Sequence, residues 1–201
     1  MRMLVLASAC LTAPTSLAAP PTVVLDNARV RVLRAASAEA VADHPAAVIV
    51  VLQDGATGKA GDAYWSGDGT ARRDLGDVGS VLIVEPKASA PPPASAPPPS
   101  AAVSPGRSTF VGMSFQPLLD NDRVAVIRGR MELGAEEGLH THASDIVVVH
   151  ISGGSIEDTA DGKTKVHRWS RGDVEFEPRG SRHSARNVGA AVDAVLITLK
   201  P

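Results

Sequence analysis

The stretch GDVEFEPRGSRHSARN, residues 172–187, sets a single histidine inside a segment punctuated by Gly172, Pro178 and Gly180. Glycine and proline mark chain reversals. Short runs of Val and Ile on either side favour strands over helices. His183 therefore starts a strand that returns across a β-structure just after a tight turn. A histidine delivered in this way is either an ordinary core or surface residue or one arm of a site, and the rest of the chain has to supply the other arms.

Upstream lies GAEEGLHTHASDIVVVHISGG, residues 134–154. Alternate residues of a strand face the same side, so His140 and His142 project together across Thr141. Two imidazoles at that spacing can bind one divalent ion. A third ligand has to come from elsewhere in space.

The two stretches together resemble the paired motifs of the cupin superfamily. Gly134, five residues, then His140-x-His142 resembles the first motif, and Gly172, Pro178, Gly180, His183 and Asn187 match every fixed position of the second. The resemblance implies an all-β, double-stranded β-helix (jelly-roll) barrel. It also implies a metal site of His140, His142 and His183, which leaves positions open for water or substrate. The family pattern carries a Glu three or four residues after the second His, where this chain has Ile146 and Val147. Asp145 is the nearest acid and the candidate fourth ligand, although strict alternation turns it away unless a bulge re-aims it. Without that carboxylate the site suits Fe²⁺, Zn²⁺, Ni²⁺ or Cu²⁺ better than Mn²⁺. Asn187 reads as a turn residue. His150, about 26 Å further along a straight strand, and His167 read as ordinary strand histidines. Glu136 and Glu137 are placed to contact substrate at a barrel mouth or, the preferred reading, belong to a solvated loop. DTADGKT, residues 158–164, reads as a hairpin tip with an Asp-Gly turn. Arg128 and Arg130 share a face that points either inward, toward an anionic substrate, or outward to solvent.

The chain repeats itself. LDNARVRVLR (25–34) parallels LLDNDRVAVIRG (118–129), AVIVVLQDG (47–55) parallels IVVVHISGG (146–154), and GDAYW (61–65) parallels GDVEF (172–176). SVLIVEPK (80–87) and AVLITLKP (194–201) close the two copies. Such a period marks a duplicated small domain. The first copy has only His44 where the second has His-x-His, and its Gly55–Gly61 segment is much shorter than Gly154–Gly172. Residues 22–87 are thus expected to form a degenerate cupin-like domain without a metal site. They are too few for robust independent stability, so this copy should pack through a sheet face on the second copy or on another chain, which would give a homodimer. Residues 88–107, rich in Pro, Ala and Ser, form a linker, and residues 108–201 form the domain with the candidate site.

Residues 1–19 read as a signal peptide, with Arg2, the apolar MLVLASACL and a small-residue cleavage site around Ala18. Export to the periplasm or the medium is expected. Cys10, the only cysteine, sits in a segment that resembles a lipoprotein box, so a lipid anchor there is the alternative. No other segment is long and apolar enough to span a membrane. The net charge of −2 and the lack of any basic cluster argue against nucleic acid. Aromatic content of 3% argues against a stacking cleft. A small-molecule ligand or substrate remains as the partner. Three classes stay open: a metal-dependent enzyme (a dioxygenase, or an isomerase or hydrolase using Lewis-acid chemistry), a non-catalytic exported ligand- or metal-binding module, and an inert cupin.

Overall fold

The computed structural model describes residues 19–68, 75, 79–88 and 110–201. The signal segment with Cys10 and nearly all of the linker lie outside the described residues. The described residues are mostly strand, joined by turns, loops and short 3₁₀ helices, and no described helix is long and apolar enough to cross a membrane.

The first half contributes β1 (Thr22–Asp26), β2 (Val30–Ala35), β3 (Val48–Val51), β4 (Ala63–Trp65) and β5 (Val81–Pro86), with 3₁₀ turns at Ala38–Asp43 and Ser66–Asp68. They form one antiparallel sheet in the order β1-β2-β5-β3-β4. The second half contributes β6 (Phe110–Asp120), β7 (Val124–Thr141), β8 (Asp145–His150), β9 (Gly154–Ala160), β10 (Lys163–Trp169), β11 (Val174–Glu177), β12 (Arg182–Asn187) and β13 (Val192–Leu199). Their order is β10-β9-β12-β7-β13-β8-β11, with β6 on the other edge of β7.

β7 explains how one sheet becomes a jelly roll. Its residues 124–131 pair with β13, and residues 136–141 pair with β12. The strand passes from one layer to the other at Gly134, whose φ of +76° is open to glycine at little cost. One layer is therefore β11-β8-β13-β7, and the opposing layer is β7-β12-β9-β10. Between β9 and β10, Asp161 (φ +51°) and Gly162 (φ +70°) form the expected Asp-Gly hairpin turn.

The order β1-β2-β5-β3-β4 repeats β6-β7-β13-β8-β11, so the duplication holds at the level of strand pairing. Its turn chemistry repeats as well. The Asn27 carboxamide oxygen accepts from the amides of Arg29 and Val30, and that of Asn121 accepts from Arg123 and Val124. Lys87 binds Asp26, and Lys200 binds Asp120. Among the described residues the first half is this single layer rather than a closed barrel. The segment from Leu52 to Asp62 is too short to build a counterpart of the β9–β10 hairpin.

The first sheet is sandwiched. One face (Leu33, Ile49, Val51, Ile83) packs on Val41 and Leu75. The other face (Val30, Val32, Val48, Val50, Val84) packs on Val124, Val126, Val147, Val149 and Ile197 of the second half. Burial on both faces is why VIVV and VLIV read as unbroken apolar runs. The sheet face anticipated for packing is thus filled within the same chain. The contact is reciprocal. Arg34 of β2 donates to the carbonyl of Gly172 (2.6 Å). Arg128, its counterpart in β7, lies against Gly61, where a Cβ would meet the guanidinium carbon at 2.7 Å. Each copy's arginine reaches the other copy's Gly-Asp turn, the signature of an approximate two-fold axis.

Candidate metal centre

β7 and β12 bring the three histidines together. His183 pairs directly across the strands with His140. The Pro178–Gly180 turn, with Gly180 at φ +87°, closes through the Gly180 amide on the His142 carbonyl (2.9 Å) and the His142 amide on Ser181 (3.0 Å). The ring centroids stand 4.7, 4.8 and 5.0 Å apart, and one ligand atom from each of the three lies within 4.8 Å of the others.

Hydrogen bonds orient the rings. His140 Nδ1–H donates to the Gly138 carbonyl (2.9 Å), and His183 Nδ1–H donates to Asp158 Oδ1 (2.7 Å). His142 Nδ1 lies 3.6 Å from Glu177. All three Nε2 atoms thus face the centre, the arrangement in which outer partners fix the tautomers of ligating histidines. His142 Nε2 and His183 Nε2 are 3.0 Å apart. Two nitrogens bound at about 2.0–2.1 Å to one ion stand about 2.8–3.4 Å apart for octahedral to tetrahedral angles, so this pair is spaced for one divalent metal, with His140 near enough to complete the set.

The acids of the site were less legible. Ile146 faces the cavity where the family pattern has Glu, and Val147 joins the inter-half core. Asp145 does not join the histidines. It is held by Arg29 of the first half (2.6 Å) and by the Arg179 amide (2.8 Å), as strict alternation implies. Glu137 lies instead beside His140, 3.4 Å from its Nε2. A register shift explains it: between the pairs His183↔His140 and Ala185↔Glu137, β7 spends one residue more than β12. This bulge at Gly138–Leu139 turns Glu137 to the same side as His140, so the solvated-loop reading of Glu137 is corrected. Glu175 and Glu177 alternate inward around Phe176, and Asp158, read as part of a hairpin tip, belongs to β9 beside His183.

Burial pushes the Glu177 carboxyl up to about 7, with Glu175 adding and His183 opposing. Burial also raises Glu137, against the pull of His140 and His183. Burial drives His142 down to about 4, helped by His140 and His183. For His183 burial acts downward too, but the Asp158 hydrogen bond and the charges of Glu177 and Glu137 carry it above its ordinary value.

The histidines open on a cavity of about 520 Å³ between the two layers. His150 and His167, read as strand residues remote from the site, both line it. The straight-strand estimate of about 26 Å does not apply, because the chain turns at Ala143–Ser144 and β8 lies in the opposing layer, between β13 and β11. Arg128 and Arg130 point outward, paired with Asp193 and Glu132. Asn187 is fully used by the fold: its amide nitrogen donates to the carbonyls of Met131, Glu132 and Ala190, and its oxygen accepts from the Gly189 amide.

No family model and no curated protein matches this chain. Solved structures do. A cupin domain from Bordetella pertussis Tohama I is 28% identical over 45% of this chain and 96% of its own, with a TM-score of 0.43. A cupin superfamily protein from Desulfitobacterium hafniense is 20% identical over 54% and 94%, with a TM-score of 0.38. An RmlC-like cupin from Shewanella frigidimarina is 24% identical over 44% and 78%, with a TM-score of 0.36. With both motifs in place, a strand order that closes two layers around them, and three histidines brought close together, the second half of this chain has a cupin-like jelly-roll fold.

Proposed function

We propose that this chain is an exported metal-dependent enzyme acting on a small molecule, its ion held by Nε2 of His140, His142 and His183. The observation that carries this reading is the convergence of three Nε2 atoms, two of them on rings fixed from behind by Gly138 and Asp158. Three neutral nitrogens suit Fe²⁺, Zn²⁺, Ni²⁺ or Cu²⁺ over Mn²⁺. When bound, such an ion would supply Lewis-acid or one-electron chemistry at the mouth of the cavity. Glu137, 3.4 Å from His140, and Glu177, 3.6 Å from His142, are placed to hold or move a proton of a ligand seated there. Those two carboxylates favour an enzyme over a simple binding module. Export rests on the composition of residues 1–19.

The test is elemental analysis of protein reconstituted separately with each ion. One equivalent per chain is expected. His183→Ala should lower affinity at least about tenfold, and His167→Ala should leave it unchanged. Failure of every ion to bind, or equal effects of the two substitutions, would sink this reading.

A further inference from the structure

His150 is 2% exposed, and neither ring nitrogen has a hydrogen-bond partner. Glu175 Oε2, at 3.9 Å, is too far to serve. Its ring stacks flat on Trp169 (4.4 Å, 11°), which in turn stacks on His167 (5.7 Å, 9°). This aromatic wall bounds the same cavity as the three converging histidines. Among the described residues His150 is the one side chain with two buried atoms left unpartnered, beside single atoms of Ser37 and Asn121, whereas Asn187 on the same barrel has every polar atom bound. Leaving a buried imidazole unpartnered is costly, and a polar group left so on a cavity wall calls for a partner from within the cavity.

The rest of the lining narrows the ligand. Among the described residues no Lys or Arg lines the cavity, while four carboxylates do: Glu137, Asp158, Glu175 and Glu177. An anionic ligand would meet repulsion and find no cation. Met113, Met131, Ile156 and Leu196 make the remaining surface largely apolar. We infer that His150 is the recognition group for an uncharged, apolar-bodied molecule whose hydroxyl hydrogen-bonds its ring while the body lies along Trp169. A hydroxyl both donates and accepts, so it satisfies either tautomer of the imidazole. This names the ligand class of the enzyme proposed above. It depends on that reading only for what happens at the other end of the cavity.

The experiment uses chelator-treated, metal-free full chain, so the presence of a metal site does not affect it. Equilibrium dialysis compares 1-naphthol, 1-naphthoate and naphthalene. The wild type should bind 1-naphthol about tenfold or more tighter than either of the others. His150→Phe and His150→Leu should each reduce 1-naphthol to the naphthalene level while naphthalene binding persists. Near-UV circular dichroism reports whether each variant folds. Binding of 1-naphthoate as tight as that of 1-naphthol, no binding of either neutral probe, or a naphthol preference that survives in a folded variant overturns the proposal. The wild-type comparison decides even if neither variant folds.

Discussion

At the scale of single residues, the contact between His142 and His183 sets the chemistry. Two imidazole nitrogens 3.0 Å apart repel unless something positive lies between them. In the metal-free protein a proton between them would meet that need. His183, raised by Asp158, Glu177 and Glu137 against its burial, carries it, and His142, held down to about 4, accepts the hydrogen bond. A metal ion takes the place of that proton. Because the folded pKa of His183 lies above its ordinary 6.5, affinity should rise with pH through and above that value, with proton release at pH 7. His142 should release none above about pH 5. Calorimetry in buffers of different ionisation enthalpy measures the number, and zero release at pH 7 would contradict the assignment. Residue types and spacing showed the three histidines in the sequence. Glu137, Glu177 and Asp158 were hidden because their roles depend on which face of a strand each occupies next to a bulge or a turn.

Among the elements, the turn that joins β11 to β12 does the positioning. Gly180 at φ +87° lies where other residues are strained, and its amide is bound to the His142 carbonyl. Gly180→Ala should cost about 1–2 kcal/mol of stability. It should also weaken metal binding, because the same turn aims His183. Thermal unfolding with and without metal separates the two effects, and an unchanged metal-induced shift would mean that the turn does not position His183. The elements themselves were legible where fixed spacing or turn chemistry specifies them, as at Gly172, Pro178 and the Asp161–Gly162 hairpin. Distances along the chain misled wherever a turn intervened, and His150 was set aside on a straight-strand estimate although β8 brings it to the cavity from the opposing layer.

Across the whole molecule, the two halves share one core. Val30, Val32 and Val84 are as much a part of it as Val124, Val126 and Ile197. Ile197→Ala should therefore cost about 2–4 kcal/mol and destabilise both halves together. Trp65 packs on that core from the first half, and Trp169 lies in the second. Denaturation followed in Trp65→Phe and Trp169→Phe backgrounds should give coincident midpoints, whereas separated midpoints would mean independent domains. The duplication and the sheet-face contact could be read from LDN-x-R-V and the unbroken Val/Ile runs. The first copy's reduction to a single described layer could not, because the shortened Gly55–Gly61 segment shows only that a hairpin is missing.

The crossed arginines, Arg34 on Gly172 and Arg128 against Gly61, have a consequence for how the site can change. A symmetric pair of identical barrels would have to carry every mutation twice, once in each site. Here the pseudo-partner is encoded separately, so the scaffold face and the chemical face can drift independently. Dilution cannot part them, and among the described residues the three-histidine cluster occurs in one half alone.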